Sequence, residues 1–147
     1  RARQEEGRAL ADILTGMLSE MSTLVQQAES LAAAQPQMIR QRLESRLSEI
    51  AAGAELDADR LAQEILILVN KADIREELDR LTAHIQSARG LLGLEEPAGR
   101  KLDFLCQEFN RETNTLCSKS ASLELTNVGL ALKSLIDQFR EQVQNVE

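Results

Sequence analysis

The chain has 147 residues, a length that suits one domain, and its 43% hydrophobic and 28% charged residues exclude an intrinsically disordered segment. The net charge of −7 argues against a polyanion-binding surface on this segment alone. Aromatic residues make up 2%, without Trp or Tyr, which argues against the aromatic stacking platforms of many RNA-binding modules, and the apolar run ILILV at 65–69 is too short to span a membrane.

The first predicted element is a long helix whose apolar residues follow a heptad seam. They step by four and three residues: Leu10, Leu14, Met17, Met21, Leu24, Ala28 and Leu31. The segment AAAQPQ should interrupt this helix, because Pro36 suits the first turn of a new one. A second apolar stripe follows over residues 39–50. Residues 1–55 are therefore predicted to form an antiparallel helical hairpin that serves as a scaffold or oligomerisation arm.

The next predicted helix begins after AAGAELDAD, in which Asp57 can cap the N-terminus, and it ends near residue 92 at a pair of glycines. Its apolar face changes side along its length. The stripe over residues 61–72 and the stripe over residues 74–85 lie about 180° apart around the helix axis. Such a helix would pack against one neighbour with its first half and against another with its second half, with the switch at residues 70–73.

Two further helices complete the predicted fold. The stretch KLDFLCQEFNRETNTLCSKS at 101–120 predicts a fourth helix, and SKSAS separates it from a last helix with heptad-like apolar spacing. Cys106 and Cys117 would lie about 16 Å apart along the fourth helix, too far for a disulfide, so both are predicted to be free thiols. No strand pattern occurs. The predicted fold class is all-α, with long antiparallel helices forming a hairpin or bundle with coiled-coil-like seams, and residues 56–147 form its C-terminal domain.

A polar stripe runs along the third predicted helix. Its members step by four, three and four residues: Asp73, Glu77, Arg80 and His84. Asp73 and Glu77 lie one turn apart, about 6 Å along the axis, so they could share one hard cation. Alternatively, Glu76 or Glu77 forms an ordinary intrahelical ion pair with Arg80. His84 could transfer a proton near neutral pH, or it could serve only packing and hydrogen bonding.

The fourth predicted helix repeats this pattern. Glu108 and Glu112 lie one turn apart beside Arg111, and a second polar strip carries Asp103, Gln107, Asn110, Asn114 and Ser118. If the two helices packed side by side, these groups would line one wet cleft suited to metal-assisted phosphodiester hydrolysis. The same groups could instead form a buried network that only fixes helix register. The sequence has no Walker loop, GxSxG elbow or Cys/His cluster, so a nucleotide hydrolase, a serine hydrolase and a zinc enzyme lack support.

Several blocks of the sequence resemble a known family. KADIREELDRLTAHIQ, GRKLDFLCQEFNRETNTLCSKS and the terminal REQVQNVE resemble the C-terminal half of the bacterial YicC/YloC family, and EGRAL resembles the family's junction with its N-terminal region. The resemblance implies a divalent-metal-dependent endoribonuclease that acts on single-stranded or small regulatory RNA in the bacterial cytoplasm. It also implies a ring-like homo-oligomer, such as a hexamer. The N-terminal region of the full protein is expected to be absent, so that this fragment alone could lack activity.

Position by position, the blocks that resemble the family single out a set of polar residues in this sequence: Asp73, Glu76, Glu77, Arg80, His84, Arg100, Lys101, Asp103, Gln107, Glu108, Asn110, Arg111, Glu112, Asn114, Ser118 and Lys119. Within it, four hard oxygen donors are predicted to bind Mg²⁺ or Mn²⁺: Asp73, Glu77, Glu108 and Glu112. His84 is the predicted proton-transfer group, and Glu77 and Glu108 are predicted to act in catalysis as metal ligands or water-orienting bases.

RNA contacts are assigned to seven of the remaining members of the set. Phosphate contacts are predicted for Arg80, Arg100, Lys101, Arg111 and Lys119, and sugar or base contacts for Asn110 and Asn114. Two other hypotheses stay open beside the nuclease. The chain could be a non-catalytic module that clamps RNA, or a structural oligomerisation domain in which the polar strips set helix register.

Overall fold

The computed structural model describes residues 2–50, 58–94 and 98–145, and these residues form five α-helices. The helices are α1 (Ala2–Ile50), α2 (Ala58–Lys71), α3 (Arg75–Leu92), α4 (Gly99–Lys119) and α5 (Leu123–Val143). The described ranges contain no strand, so the predicted all-α class is confirmed. No helix in these ranges is both long enough and apolar enough to cross a membrane.

Four of these helices surround one hydrophobic core. α1 packs against α3 and α5, and α4 packs against the same two helices, which gives a four-helix bundle. At its centre the rings of Phe109 and Phe139 meet edge to face, with centroids 6.2 Å apart, and both side chains are fully buried. Burying one such side chain stabilises the fold by about 2 kcal/mol, so packing rather than intrinsic helix propensity holds the bundle together.

The predicted break in the first helix is wrong. α1 is one continuous helix of 49 residues with Pro36 inside it, so the turn of the hairpin predicted for residues 1–55 does not occur within the described residues 2–50. An interior proline costs about 3 kcal/mol, because it removes one backbone hydrogen bond and crowds the preceding turn. Packing on both sides offsets that cost: Gln35 is buried against the bundle, and Ile39 lines a cleft shared with α2. The predicted cap Asp57 and the boundary at 55/56 lie outside the described residues.

The helix predicted over residues 57–92 is in fact two helices. α2 ends at Lys71 and α3 begins at Arg75, at the point where the apolar face changes side. A break lets each half turn its own apolar face to its own neighbour, so α2 packs against the second half of α1 while α3 joins the bundle. The carboxylate of Asp73 accepts a hydrogen bond of 3.0 Å from the backbone N–H of Arg75, which starts α3.

The remaining helix ends follow the prediction. Gly93 caps the C-terminus of α3, and its backbone N–H donates to the carbonyl of Arg89. The segment 120–122 separates α4 from α5, where the Ser122 hydroxyl accepts a hydrogen bond of 3.1 Å from the backbone N–H of Leu125. Because α3 and α4 are consecutive and antiparallel, the start of α3 lies beside the end of α4. This pairing brings the two polar stripes together.

Candidate metal site on the α3–α4 edge

One edge of the α3–α4 interface carries a row of ionisable side chains, which we call the polar ladder. Its rungs are Glu77 with Lys119, Arg80 with Glu112, and His84 with Glu108. Steps of three and four residues on both helices keep these side chains on one side of each helix. The spacing therefore places these side chains along one edge, and the register of the two antiparallel helices sets which of them pair.

The first rung is a buried ion pair. Nζ of Lys119 lies 2.6 Å from Oε1 of Glu77, whose side chain is only 3% exposed. The same Nζ donates to the backbone carbonyl of Asp73 at 3.1 Å. The second carboxylate oxygen of Glu77 is buried and has no hydrogen-bond partner within the described ranges. Glu77 is thus committed to an internal contact with Lys119.

The other two rungs contain three candidate metal ligands that lie close together: His84, Glu108 and Glu112. One ligand atom from each of His84, Glu108 and Glu112 lies within 4.8 Å of the other two. Nε2 of His84 is 4.0 Å from Oε2 of Glu108, and the imidazole packs edge to face on Phe109 at 6.2 Å between centroids. Glu112 is buried, and its Oε2 lies 3.5 Å from Nη1 of Arg80. The ring contact and the ion pair fix the orientation of two of the three ligands.

These three side chains fit a divalent cation. Ligand atoms on one transition metal lie about 2.0–2.2 Å from it, so neighbouring ligand atoms stand roughly 3–3.5 Å apart, closer than the 4.8 Å within which these three atoms lie. Small side-chain rotations would close the group around an ion. One imidazole nitrogen with two carboxylate oxygens suits Mn²⁺ or a later transition metal better than Mg²⁺, which prefers oxygen ligands alone. The guanidinium of Arg80 would compete for Glu112.

Asp73 and Glu77, the predicted ligand pair on the third helix, are not brought to this cluster. The Asp73 carboxylate pairs with Arg75, whose Nη2 lies 2.7 Å from its Oδ2. Hydrogen bonds from the Arg75 side chain hold the pKa of Asp73 below its ordinary value. Of the described residues, the cluster contains only His84, Glu108 and Glu112, so the four predicted carboxylates do not form one site.

The second polar strip of α4 faces a different helix. Asp103 accepts a hydrogen bond of 3.1 Å from Nε of Arg140 on α5. Asn110 lies seven residues further on the same side of α4, half-buried, and its Oδ1 is buried with no partner within the described ranges. The two predicted strips of α4 therefore lie on opposite flanks, one toward α3 and the other toward α5.

The seven predicted RNA contacts do not share one surface. Arg80 lies in the polar ladder and Lys119 in its buried pair, while Arg111 and Asn114 are exposed on the outer side of α4. Asn110 faces α5. Arg100 and Lys101 lie in the first turn of α4, at the far end of the α3–α4 edge from Lys119. Of these seven residues, only Arg80, Arg100 and Lys101 are exposed along the edge that carries the cluster.

Gln35 is a structural residue that the sequence reasoning missed. Its side chain is buried, donates to the carbonyl of Ala72 at 2.6 Å and accepts from the N–H of Ala121 at 2.8 Å. It joins the α2–α3 break to the α4–α5 connection. Its position offered a signal, because it continues the heptad of Leu14, Met21 and Ala28 with a polar side chain. The Arg140–Asp103 contact offered none, since it depends on which helices are neighbours.

Fold and site define a helical bundle with a candidate cation site on one helix–helix edge. The family model described as "Endoribonuclease YicC-like, C-terminal" matches residues 28–147. The chain belongs to this family, which confirms the resemblance carried by the three sequence blocks.

Two relatives match almost the full length of the chain. It is 41% identical over 145 residues to the "Probable endoribonuclease YicC" of Haemophilus influenzae and 36% identical over 146 residues to the protein of the same name from Clostridioides difficile. Each match covers 99% of this chain and 50% of the relative. The chain therefore spans about half the length of the curated relatives it matches.

Proposed function

We propose that this chain is the C-terminal part of an endoribonuclease that hydrolyses RNA phosphodiester bonds with a divalent cation held by His84, Glu108 and Glu112. The observation that carries the proposal is the convergence of these three side chains to within 4.8 Å. The names of the relatives supply the reaction class. Single-stranded or small regulatory RNA remains the expected substrate.

The proposed roles differ from those expected from sequence. His84 is proposed as a metal ligand instead of the proton-transfer group. Asp73 and Glu77 are no longer proposed as ligands, because they form ion pairs with Arg75 and Lys119. A divalent cation at the cluster would activate water for attack and neutralise charge on the phosphodiester. The role left for Arg80 is a phosphate contact. Its Nη1 contacts Glu112 and its Nη2 pairs with the exposed Glu76 at 3.3 Å, but the side chain is 54% exposed, so a phosphate can replace Glu76.

The test compares two matched substitutions in the full-length protein. Glu108→Gln removes one ligand charge, and Glu141→Gln makes the same chemical change at an exposed position on α5. Cleavage of an end-labelled single-stranded RNA in Mn²⁺ should fall roughly 100-fold or more with Glu108→Gln, and EDTA should stop it in every variant. Glu141→Gln should cut at the unsubstituted rate. A Glu108→Gln protein that keeps that rate would contradict the metal assignment.

A second candidate function follows from the ion pairs of the polar ladder. Arg80 and Lys119 each neutralise a ladder carboxylate without any metal ion. The ladder could then fix helix register in a module that clamps RNA and does not cut it. In that case calorimetric titration with Mn²⁺ would show no binding to the cluster, and RNA binding would be salt-dependent without producing new RNA ends.

We also propose that the protein works as a homo-oligomer. Support comes from α2, which packs mainly against α1 and leaves three large apolar side chains exposed: Leu66, Ile67 and Leu68. Light scattering on the full-length protein measures its mass. A mass of one subunit at all concentrations would overturn this proposal and with it the expected ring.

A further inference from the structure

One aromatic side chain stands apart from the core. Phe104 on α4 is 59% exposed, whereas Phe109 and Phe139 are fully buried. A single exposed apolar residue needs no explanation by itself. Phe104, however, forms a wall of a groove between the end of α3 and the start of α4.

This groove has a composition unlike the rest of the chain. Its volume is about 510 Å³, and its lining residues are Ser87, Gly90, Leu91, Arg100, Lys101, Phe104 and Leu105. In a chain of net charge −7, the lining residues within the described ranges include two cations and no carboxylate. The groove is wide and open to solvent, so it suits a flat ring that lies against its apolar wall beside the two cations, rather than an enclosed small ligand.

The groove continues the edge that carries the candidate metal site. Phe104 precedes Glu108 by four residues on α4, and Ser87 follows His84 by three residues on α3. Residues with these spacings lie one turn apart on the same side of a helix, about 5–6 Å along the axis. A chain of nucleotides with a phosphate at His84 and Glu108 would therefore place a neighbouring nucleotide at Phe104.

We propose that this groove is a nucleotide subsite in which an unpaired RNA base stacks on Phe104 while Arg100 and Lys101 hold the adjoining phosphates. The inference rests on the proposed function, and it adds a determinant of substrate choice to that site. Stacking requires an unstacked base, so the subsite selects single-stranded over double-stranded RNA. The low aromatic content argued against such platforms, but a single exposed phenylalanine is enough for one base.

The first experiment measures RNA binding without cleavage. Fluorescence anisotropy of a labelled single-stranded RNA, in EDTA and with the full-length protein, should show roughly tenfold weaker binding for Phe104→Ala. Phe104→Trp should keep the affinity, because the indole also stacks. Leu130→Ala is the matched control, since Leu130 is an apolar side chain of α5 that is 55% exposed outside the groove. Melting temperatures should show that all three variants fold.

The second experiment isolates stacking and charge. An RNA with an abasic nucleotide at the stacked position should bind the unsubstituted protein and Phe104→Ala with equal affinity.

The double substitution Arg100→Gln with Lys101→Gln should lower the slope of log affinity against log salt by about one to two, whereas Lys133→Gln on the exposed side of α5 should not.

The outcomes separate this subsite from the cleavage chemistry. Equal RNA affinity for Phe104→Ala and Leu130→Ala would overturn the subsite even if the protein cuts RNA. A Phe104→Ala protein with unchanged RNA affinity and a changed oligomer mass would also overturn it, because the groove would then be a contact between subunits. Loss of binding with Phe104→Ala in a protein that never cuts RNA would support the subsite and refute the proposed function.

Discussion

Glu77 shows how a single residue can satisfy a catalytic pattern and still be structural. The spacing of carboxylates on α3 pointed to a metal ligand, yet the contact that forms is a buried pair with Lys119. Removing one partner of a buried ion pair is costly chiefly when the other charge stays buried. The two partners differ here, since Glu77 is buried while the Lys119 side chain is 31% exposed.

That asymmetry gives a stability prediction. Lys119→Met leaves a carboxylate buried without its cation and should lower the free energy of unfolding by about 3 kcal/mol. Glu77→Gln should cost about 1 kcal/mol, because the amide oxygen can still accept the hydrogen bond from the partly exposed Lys119, and no charge is left buried. Urea denaturation of both variants measures the two costs. Equal costs would mean that Lys119 is as buried as its partner.

The two cysteines give a prediction about thiol chemistry. Burial raises the pKa of Cys106 to about 12, and burial also raises the pKa of the less enclosed Cys117. A folded pKa above the unfolded value of about 8.5 stabilises the fold below pH 8.5, and this contribution is lost as the pH rises toward 12. N-ethylmaleimide at pH 8 should therefore modify Cys117 first and Cys106 only on unfolding, as followed by mass spectrometry. Equal rates at the two cysteines would contradict the burial of Cys106.

At the scale of whole helices, α4 and α5 approach closely because Gly129 has no side chain. A Cβ at this position would lie 2.5 Å from Sγ of Cys117 and 3.2 Å from Cδ2 of Leu116. Alanine is favoured over glycine in a helix by about 1 kcal/mol, whereas overpacking a core costs about 1–3 kcal/mol. The steric cost should prevail.

Gly129→Ala should therefore lower the free energy of unfolding by about 1 kcal/mol. Combining it with Cys117→Ala removes the nearest obstacle, so the double variant should be more stable than the sum of the single effects predicts. Thermal or urea unfolding of the two single variants and the double variant completes the cycle. Strict additivity would show that Cys117 does not limit the approach of the two helices.

The elements that the sequence predicted correctly are those with local signals. The heptad stripes of α1 and α5, the glycine that ends α3 and the break at residues 120–122 are all encoded within a few residues. The errors came where tertiary contacts overrode local preference. Pro36 signalled a helix start, but α1 continues through it and buries Gln35. The change of apolar face at residues 70–73 was interpreted within one helix, but the chain breaks there, and the carboxylate of Asp73 accepts a hydrogen bond from the backbone N–H of Arg75.

The whole molecule explains why the candidate site was only partly predictable. Sequence spacing places Glu108 and Glu112 on one side of α4, and His84 and Arg80 on one side of α3. Which carboxylate meets which cation depends on the antiparallel register of the two helices, and single-helix geometry does not contain that register. Sequence spacing placed Asp103 in a separate strip of α4, but it could not show that this strip faces Arg140 on α5 while the candidate ligands face α3.

Gln35 connects distant parts of the molecule, so its substitution tests the fold as a whole. Gln35→Ala leaves the carbonyl of Ala72 and the N–H of Ala121 without partners and should lower the free energy of unfolding by about 2–3 kcal/mol. Hydrogen exchange should show the Ala121 amide losing protection while the core amides of α5 keep theirs under native conditions. Unchanged protection at Ala121 would mean that water replaces the glutamine.

The continuous first helix has a mechanical consequence. Beyond Pro36 it runs for another 14 residues, which makes an arm of about 21 Å. Bending by only 10° at the proline would displace the tip by about 4 Å, and proline is where helices bend most readily. The fulcrum of this lever is Gln35, whose hydrogen bonds hold both the α2–α3 break and the α4–α5 connection. A force on the arm would thus be transmitted through Gln35 to the start of α3 and the end of α4, and it would displace the two helices that carry the polar ladder relative to each other.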